Sequence, residues 1–370
     1  MEAGPGATVV TRQERPEDGE PLANFETAEC FDRGVRRTRR WQSGVAAIAT
    51  LVVTALVFVS PATANASGST LRLITEPNEG IGPIDALFAG AKHSVDLVVY
   101  ELADPHLEAI LANDDARGVK VRVLLDRDDE QSHNAAAFAY LTAHHVAVRW
   151  ASDPGIDLTH EKAAVIDGSA ALVMTLNLVA GNYASTRDFA VVDESRTEAQ
   201  AIDRTFIADW NGTPVVPTTA GDLVWSPGAE PALVSLIDGA RRTLLVENEE
   251  MADPYIIRPL EAAARRGVRV DVVMTASSEW ESDFRELSGA GVSVKTYAPS
   301  ASLYIHAKAI VADAGASDRR AFVGSQNFSI TSLVHNRELG ITTSATNIVN
   351  GLATTIRSDF AGGLPWQIGQ

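Results

Sequence analysis

From residue 71 onward, short Val- and Leu-rich runs alternate with longer stretches of helical period, the pattern of βαβ units. The first series predicts strands over Leu71–Thr75, Val95–Tyr100, Val119–Leu125 and Val146–Trp150. Helices are predicted between them over Ile84–Lys92, Pro105–Arg117 and His133–His144, the second opened by Asp104 as N-cap and closed by Gly118. A second series predicts strands over Leu223–Trp225, Thr243–Glu247, Val268–Met274 and Val292–Tyr297, with helices over Pro231–Ala240, Pro254–Arg266 and Trp280–Ala290. A helix near Glu194–Trp210, then Asn211-Gly212-Thr213-Pro214, joins the two series. Continuous apolar strands separated by helices imply α/β architecture, with largely parallel sheets buried under helices on both faces.

The two series are copies of one another. Ala91-Lys92-His93-Ser94-Val95 through Ala103-Asp104-Pro105 returns as Ala240-Arg241-Arg242-Thr243-Leu244 through Ala252-Asp253-Pro254, a shift of 149. Arg117-Gly118-Val119-Lys120-Val121 returns at the same shift as Arg266-Gly267-Val268-Arg269-Val270. The chain therefore divides into a leader over 1–66, a first half over 70–210, a linker over 211–222 and a second half over 223–361.

Charge changes the picture. The 370 residues carry a net charge of −17, which argues against nonspecific nucleic-acid binding, since that is driven by Lys and Arg neutralising phosphates. The N-terminus adds a targeting signal: Arg36, Arg37, Arg39 and Arg40 precede an apolar stretch, Val45–Val59, and then Pro61 and the small residues Ala62-Thr63-Ala64-Asn65-Ala66. That order predicts export through a signal peptide cleaved after Ala66. The alternative is an uncleaved Val45–Val59 anchor, although a bilayer span needs about 20 apolar residues. Arg39-Arg40 also allows a twin-arginine route, but the residues after it match poorly. The sole cysteine, Cys30, lies in the leader, so the mature protein is expected to have no disulfide.

Each copy ends on the same chemistry. His160-Glu161-Lys162 runs on to Asp167, and His306-Ala307-Lys308 to Asp313, both as His-x-Lys-x4-Asp in an apolar segment that predicts a strand. Residues two apart on a strand share a face, so each His and Lys is expected to address one pocket. Asp167-Gly168 predicts a tight hairpin. The return strands bring Thr175 and Asn177, then Ser325 and Asn327, and eleven residues past each Asn stands an acid, Asp188 or Glu338.

These residues resemble the signature of the phospholipase D superfamily, His-x-Lys-x4-Asp-x6-Gly-Ser-x-Asn, over almost all of residues 70–361. The resemblance implies a duplicated α/β/α sandwich, two mainly parallel sheets related by a pseudo-two-fold axis, with one active site between them. It implies His160 as nucleophile forming a phosphohistidine, His306 as general acid and base, and Lys162, Lys308, Asn177 and Asn327 clamping the nonbridging oxygens. Asp188 and Glu338 would orient the imidazoles, Thr175 and Ser325 would contact substrate, and Asp167 and Asp313 would make structural hydrogen bonds. No metal or other cofactor is implied. The first copy departs from the signature at Met174-Thr175, where Gly-Ser is usual, a change expected to narrow the phosphate pocket.

Glu101 and Glu250, equivalent in the repeat, are expected at the site's rim, with Glu247 and Glu249, where they would favour a cationic headgroup such as choline. Asp126-Arg127-Asp128-Asp129-Glu130 predicts a solvated charge run, and His144-His145 a surface pair. His335 is a candidate for pocket contact. The reading is a secreted monomeric enzyme that meets membranes transiently and hydrolyses glycerophospholipids to phosphatidic acid and an alcohol. An extracellular nuclease, a phosphatidyl transferase of cardiolipin-synthase type and a noncatalytic phosphate-binding protein are the alternatives.

Overall fold

The computed structural model describes residues 71–152, 155–219 and 221–367, so the leader and its signal sequence lie outside the described residues. Two sheets carry the fold and share one strand order. In space the first runs Leu71–Glu76, Thr186–Asp193, Ala170–Met174, Lys162–Ile166, Ser94–Val99, Lys120–Leu125 and Ala147–Trp150. The second runs Leu223–Ser226, Glu338–Thr343, Arg320–Gly324, Ala309–Ala312, Thr243–Glu247, Arg269–Thr275 and Ser293–Tyr297, with Leu364–Pro365 added at its edge. The sequence repeat is thus a repeat of topology.

Within that shared order, parallel pairing is confined to the three βαβ strands of each half; outside it, Tyr304–Ile305 runs parallel to Thr186–Asp193, and Leu102–Ala103 to Leu178–Val179. The helical crossovers of the βαβ strands return the chain to the same end of the sheet. The other strands of that order pair antiparallel, the motif strand of each half being returned beside itself by a short turn over 167–169 or a longer loop over 313–319. Both sheets are therefore mixed, parallel on one side and antiparallel on the side that carries the His-x-Lys motifs.

At the first turn, three residues long between the paired Ile166 and Ala170, Asp167 and Gly168 have left-handed φ of 52° and 60°, and the Ser169 N–H donates to the Ile166 carbonyl at 3.1 Å. The Asp167 carboxylate accepts the backbone N–H groups of Lys92, His93 and Ser94 at 3.0, 2.6 and 3.0 Å. Asp313, at φ 51°, accepts those of Arg241, Arg242 and Thr243 at 2.8, 2.7 and 2.9 Å. Partial burial alone would raise both acids, but these amides hold them below the usual carboxylate range. Their role is structural, as expected: each pins its motif hairpin to the neighbouring strand.

The core has three layers of side chains. The inner one joins the halves: Val165, Val173 and Phe189 of the first sheet meet Val311, Val323 and Leu339 of the second. The helices Arg196–Trp210 and Thr346–Gly362 add Ile202, Phe206, Ile348 and Leu352 to it. Outer clusters under Leu107, Leu111 and Leu141, and under Ile257, Leu260 and Phe284, belong to one half each. Burying each such side chain contributes about 1.5–3 kcal/mol, so apolar packing holds the halves together. The helix expected over Ile84–Lys92 forms over Gly82–Ala89, with Pro83 in its first turn and the Gly90 N–H closing it on Ala86.

Candidate active site

Lys162 opens its strand and Lys308 immediately precedes Ala309–Ala312, so both histidines lie just ahead of the strands expected to contain them. Each is anchored by main chain of the opposite half. The His160 N–H donates to the Arg337 carbonyl at 3.0 Å, and the His306 N–H to the Arg187 carbonyl at 3.2 Å. Next along those strands come Glu338 and Asp188, which take the imidazoles: His160 Nδ1 lies 2.9 Å from Glu338 Oε2, and His306 Nδ1 lies 2.7 Å from Asp188 Oδ1. The asparagines exchange in the same way. Asn177 and Asp188 line a cavity of about 340 Å³ with His306, while Asn327 lines one of about 310 Å³ with His160. Neither half holds a complete set by itself.

Both lysines are fully buried. Lys162 Nζ donates to the His160 carbonyl at 2.7 Å, and Lys308 Nζ to the His306 carbonyl at 2.6 Å. Burial lowers Lys162 to about 7 against the pull of Glu338. Burial also lowers His160, which favours a neutral ring; with Nδ1 tied to Glu338, Nε2 is the nitrogen left for chemistry. Burial alone would raise Glu338, but His160 and Lys162 outweigh it and hold the carboxyl low, and Ser332 Oγ donates to Glu338 Oε1 at 2.6 Å.

The half-sites differ where Tyr100 and Glu249 occupy equivalent positions of the repeat. The Tyr100 ring lies 4.8 Å from Lys162 Nζ and meets His160 edge-on at 4.6 Å. In the second half Glu249 Oε2 stands 2.9 Å from Lys308 Nζ and 3.4 Å from His306 Nε2, and Tyr304 Oη donates to Glu249 Oε1 at 2.9 Å. Burial opposes ionisation of Glu249, but His306 and Lys308 hold it far below the usual carboxylate range. His306 therefore faces a carboxylate at each ring nitrogen.

Several expected contacts fall elsewhere. Thr175 Oγ1 donates to Asp188 at 2.6 Å and accepts the Phe189 N–H, and Ser325 Oγ accepts the Leu339 N–H at 3.1 Å; both are fully buried braces that line neither cavity. Met174 does not narrow the pocket. Strand alternation turns it into the outer apolar cluster of its half. Glu250 lines the His160 cavity and accepts from Asn327 Nδ2 at 2.9 Å, but Glu101 lines neither and lies with Glu130 and His133. Glu247 is fully buried, raised well above the carboxylate range by burial and by Asp359, so it is not a rim residue.

The supposed charge run also contains a buried member, Asp126, which accepts the N–H groups of Asp129, Glu130 and Thr159 at 2.9, 3.0 and 2.8 Å and so steadies the approach to His160. His144 and His145 are exposed as expected, and His335 is exposed outside both cavities.

Two buried arginines were not singled out from sequence. Arg187 reaches Asp359 of the other half's last helix at 2.5 and 3.1 Å, and Arg337 reaches Asp209 at 3.0 and 3.1 Å. The signal was present: each arginine precedes the orienting acid, and each aspartate sits in the helix that closes a half.

Known proteins share this layout. The family described as "Cardiolipin synthase, PLD-like domain" matches residues 84–210 and again 233–360. Mitochondrial cardiolipin hydrolase of Xenopus tropicalis is 28% identical over 124 residues, 34% of this chain and 58% of that protein. The Xenopus laevis protein of the same name is 28% identical over 121 residues, covering 33% and 56%. The chain thus spans a little over half the length of these curated relatives. Among solved structures, phosphatidylserine synthase of Haemophilus influenzae Rd KW20 superposes with a TM-score of 0.62 at 12% identity, covering 78% of this chain and 85% of that one. Polyphosphate kinase of Porphyromonas gingivalis gives 0.61 at 16% identity, covering 78% and 46%. At such identities the likeness is one of fold. Matched in both repeats over more than half its length, the chain belongs to the phospholipase D-like family of cardiolipin-synthase type, within a superfamily whose enzymes act on phosphodiester bonds.

Proposed function

We propose that this chain is an exported phosphodiesterase that hydrolyses glycerophospholipids to phosphatidic acid and a free alcohol. The observation that carries the reading is the exchange of partners between halves, by which each imidazole takes its carboxylate from the other half; the reading joins the two cavities they line into one site. His160 Nε2 attacks phosphorus and forms a P–N bond. The P–O bond to the alcohol breaks, its electron pair stays on oxygen, and His306 delivers the proton that oxygen needs. Water then attacks phosphorus and gives a proton to His306, and the P–N electron pair returns to His160. The amides of Asn177 and Asn327, which line the cavities, supply donors for the nonbridging oxygens, and Lys162 and Lys308, buried behind the histidines, add positive charge as negative charge develops there.

The cavities favour a lipid diester over a polynucleotide. Nucleic acid brings further phosphates on both sides of the scissile bond and needs Lys or Arg along the groove. Among the described residues neither cavity is lined by a lysine or arginine, and both have carboxylates instead.

The test is one assay in EDTA on phosphatidylcholine vesicles, cardiolipin vesicles and single-stranded DNA, with wild type and His160→Ala. Alcohol release from lipid by wild type alone is expected. Cleavage of DNA without lipid turnover would make the protein a nuclease, and phosphatidyl transfer to an added alcohol with no phosphatidic acid would make it a transferase.

A further inference from the structure

The cavity beside His306 holds three acceptor atoms that the described residues leave unmatched. Glu76 is 1% exposed, lines this cavity, and neither of its carboxylate oxygens has a well-formed hydrogen bond among the described residues, the Gly80 N–H standing near enough only to temper its charge. Asn177, which lines the same cavity, has a buried Oδ1 equally unpaired among the described residues. The other two acids of the cavity are engaged: Asp188 by His306 and Thr175, Glu249 by Lys308 and Tyr304. The nearest guanidinium, Arg187, spends its donors on Asp359, Asn78 and the Glu76 backbone carbonyl rather than on the Glu76 carboxylate.

Resting on the hydrolase reading above, we infer that this cavity is the leaving-group subsite and that it selects an alcohol bearing a primary ammonium, seated on Glu76 and Asn177. His306 delivers its proton to the departing oxygen, so the alcohol lies on the His306 side. An anionic alcohol meets Glu76, Asp188 and Glu249 and no lysine or arginine. An apolar one leaves the unmatched acceptors dry, at about 1–3 kcal/mol each. A quaternary ammonium carries charge but has no N–H to give. A primary ammonium has three donors for the three open acceptors, and the Asn177 amide, with Nδ2 toward the phosphate and Oδ1 toward the ammonium, links the two ends of the headgroup. Burial and the Asp188 charge raise Glu76 to about 7, so an arriving cation also keeps that carboxylate ionised at neutral pH.

The experiment compares phosphatidylethanolamine, phosphatidylcholine and phosphatidylglycerol at one mole fraction in otherwise identical vesicles, reading alcohol release by wild type and Glu76→Gln. A charge-assisted hydrogen bond of about 1.5–3 kcal/mol sets the scale: kcat/KM is expected to favour phosphatidylethanolamine by about tenfold or more over the other two. The ratio of phosphatidylethanolamine to phosphatidylglycerol turnover should fall about tenfold in Glu76→Gln. Glycerophosphoethanolamine against glycerophosphocholine, as water-soluble competing substrates of wild type, gives the same selectivity without a variant. Equal turnover of all three lipids, or a ratio unmoved by Glu76→Gln, overturns the inference and leaves lipid hydrolysis standing. Cleavage of other diesters with no lipid turnover, or no diester cleavage at all, overturns both.

Discussion

The two half-sites share a scaffold and differ in one neighbour. Both have a hairpin pinned by an aspartate, a buried lysine bonded to the carbonyl of its own histidine, and a carboxylate lent by the other half. Beside His160 stands the Tyr100 ring; beside His306 stands the Glu249 carboxylate. An aromatic wall leaves a buried imidazole neutral, the form that attacks. Carboxylates at both nitrogens suit a ring with two N–H groups, the form that donates. A duplicated fold thus supplies two similar imidazoles, and one substitution within the repeat gives them different tasks.

The sharpest way to break that contrast is to delete each histidine and vary the leaving group. His160→Ala should abolish turnover of every diester. His306→Ala should lower turnover of a lipid by about 10²–10⁴-fold, yet still release one equivalent of p-nitrophenol rapidly from a p-nitrophenyl diester, whose leaving group needs no acid while the later water attack does need His306. A first-turnover burst of equal rate and size in both variants would erase the division of labour.

Next in size is the tie between the halves. Asp359→Asn strips Arg187 of its buried counter-charge, and removing one partner of such a pair costs about 3–5 kcal/mol. The urea midpoint should fall accordingly, and a midpoint that does not move would mean the pair contributes nothing to holding the halves in register.

Smaller effects sharpen the electrostatics. Glu249→Gln removes one of the two anions at His306 and should lower kcat on lipid about tenfold, the scale of one charge-assisted hydrogen bond of about 1.5–3 kcal/mol, with less effect on the p-nitrophenyl diester. In wild type, kcat/KM should fall in acid, at a pH lower than a free imidazole would set, as His160 gains a proton, and fall again above about 7 as Lys162 loses one. Bound phosphate favours the charged lysine, so the alkaline limb of kcat should lie higher than that of kcat/KM. A flat profile from pH 5 to 9 would contradict both assignments.

Much of this was legible in the chain. The shift of 149 exposed the repeated halves, and His-x-Lys-x4-Asp named the histidines, the lysines and the two pinning aspartates. What stayed hidden was exchange. A repeat says which residues are duplicated but not which copy serves which, so Asp188 and Asn177 could not be paired with His306 from sequence. Glu76 ends a strand just before Pro77, far from either motif, and only folding brings it opposite Asp188. Met174 misled because the signature drew attention to its identity, while the alternation of its strand, with Val173 inward and Met174 outward, decided its place. Thr175 and Ser325 belong to the same lesson, their hydroxyls turned to the neighbouring strand rather than to the cavity.

The most direct measurement is to quench the enzyme in alkali during turnover, which preserves phosphohistidine, and map the adduct by peptide mass spectrometry in wild type and His306→Ala. The expected result is a phosphatidyl adduct on His160 alone, more abundant in His306→Ala with a p-nitrophenyl diester, because water attack has then lost its base. An adduct on His306, or equal labelling of both histidines, would contradict the assignment of unlike tasks to the two half-sites.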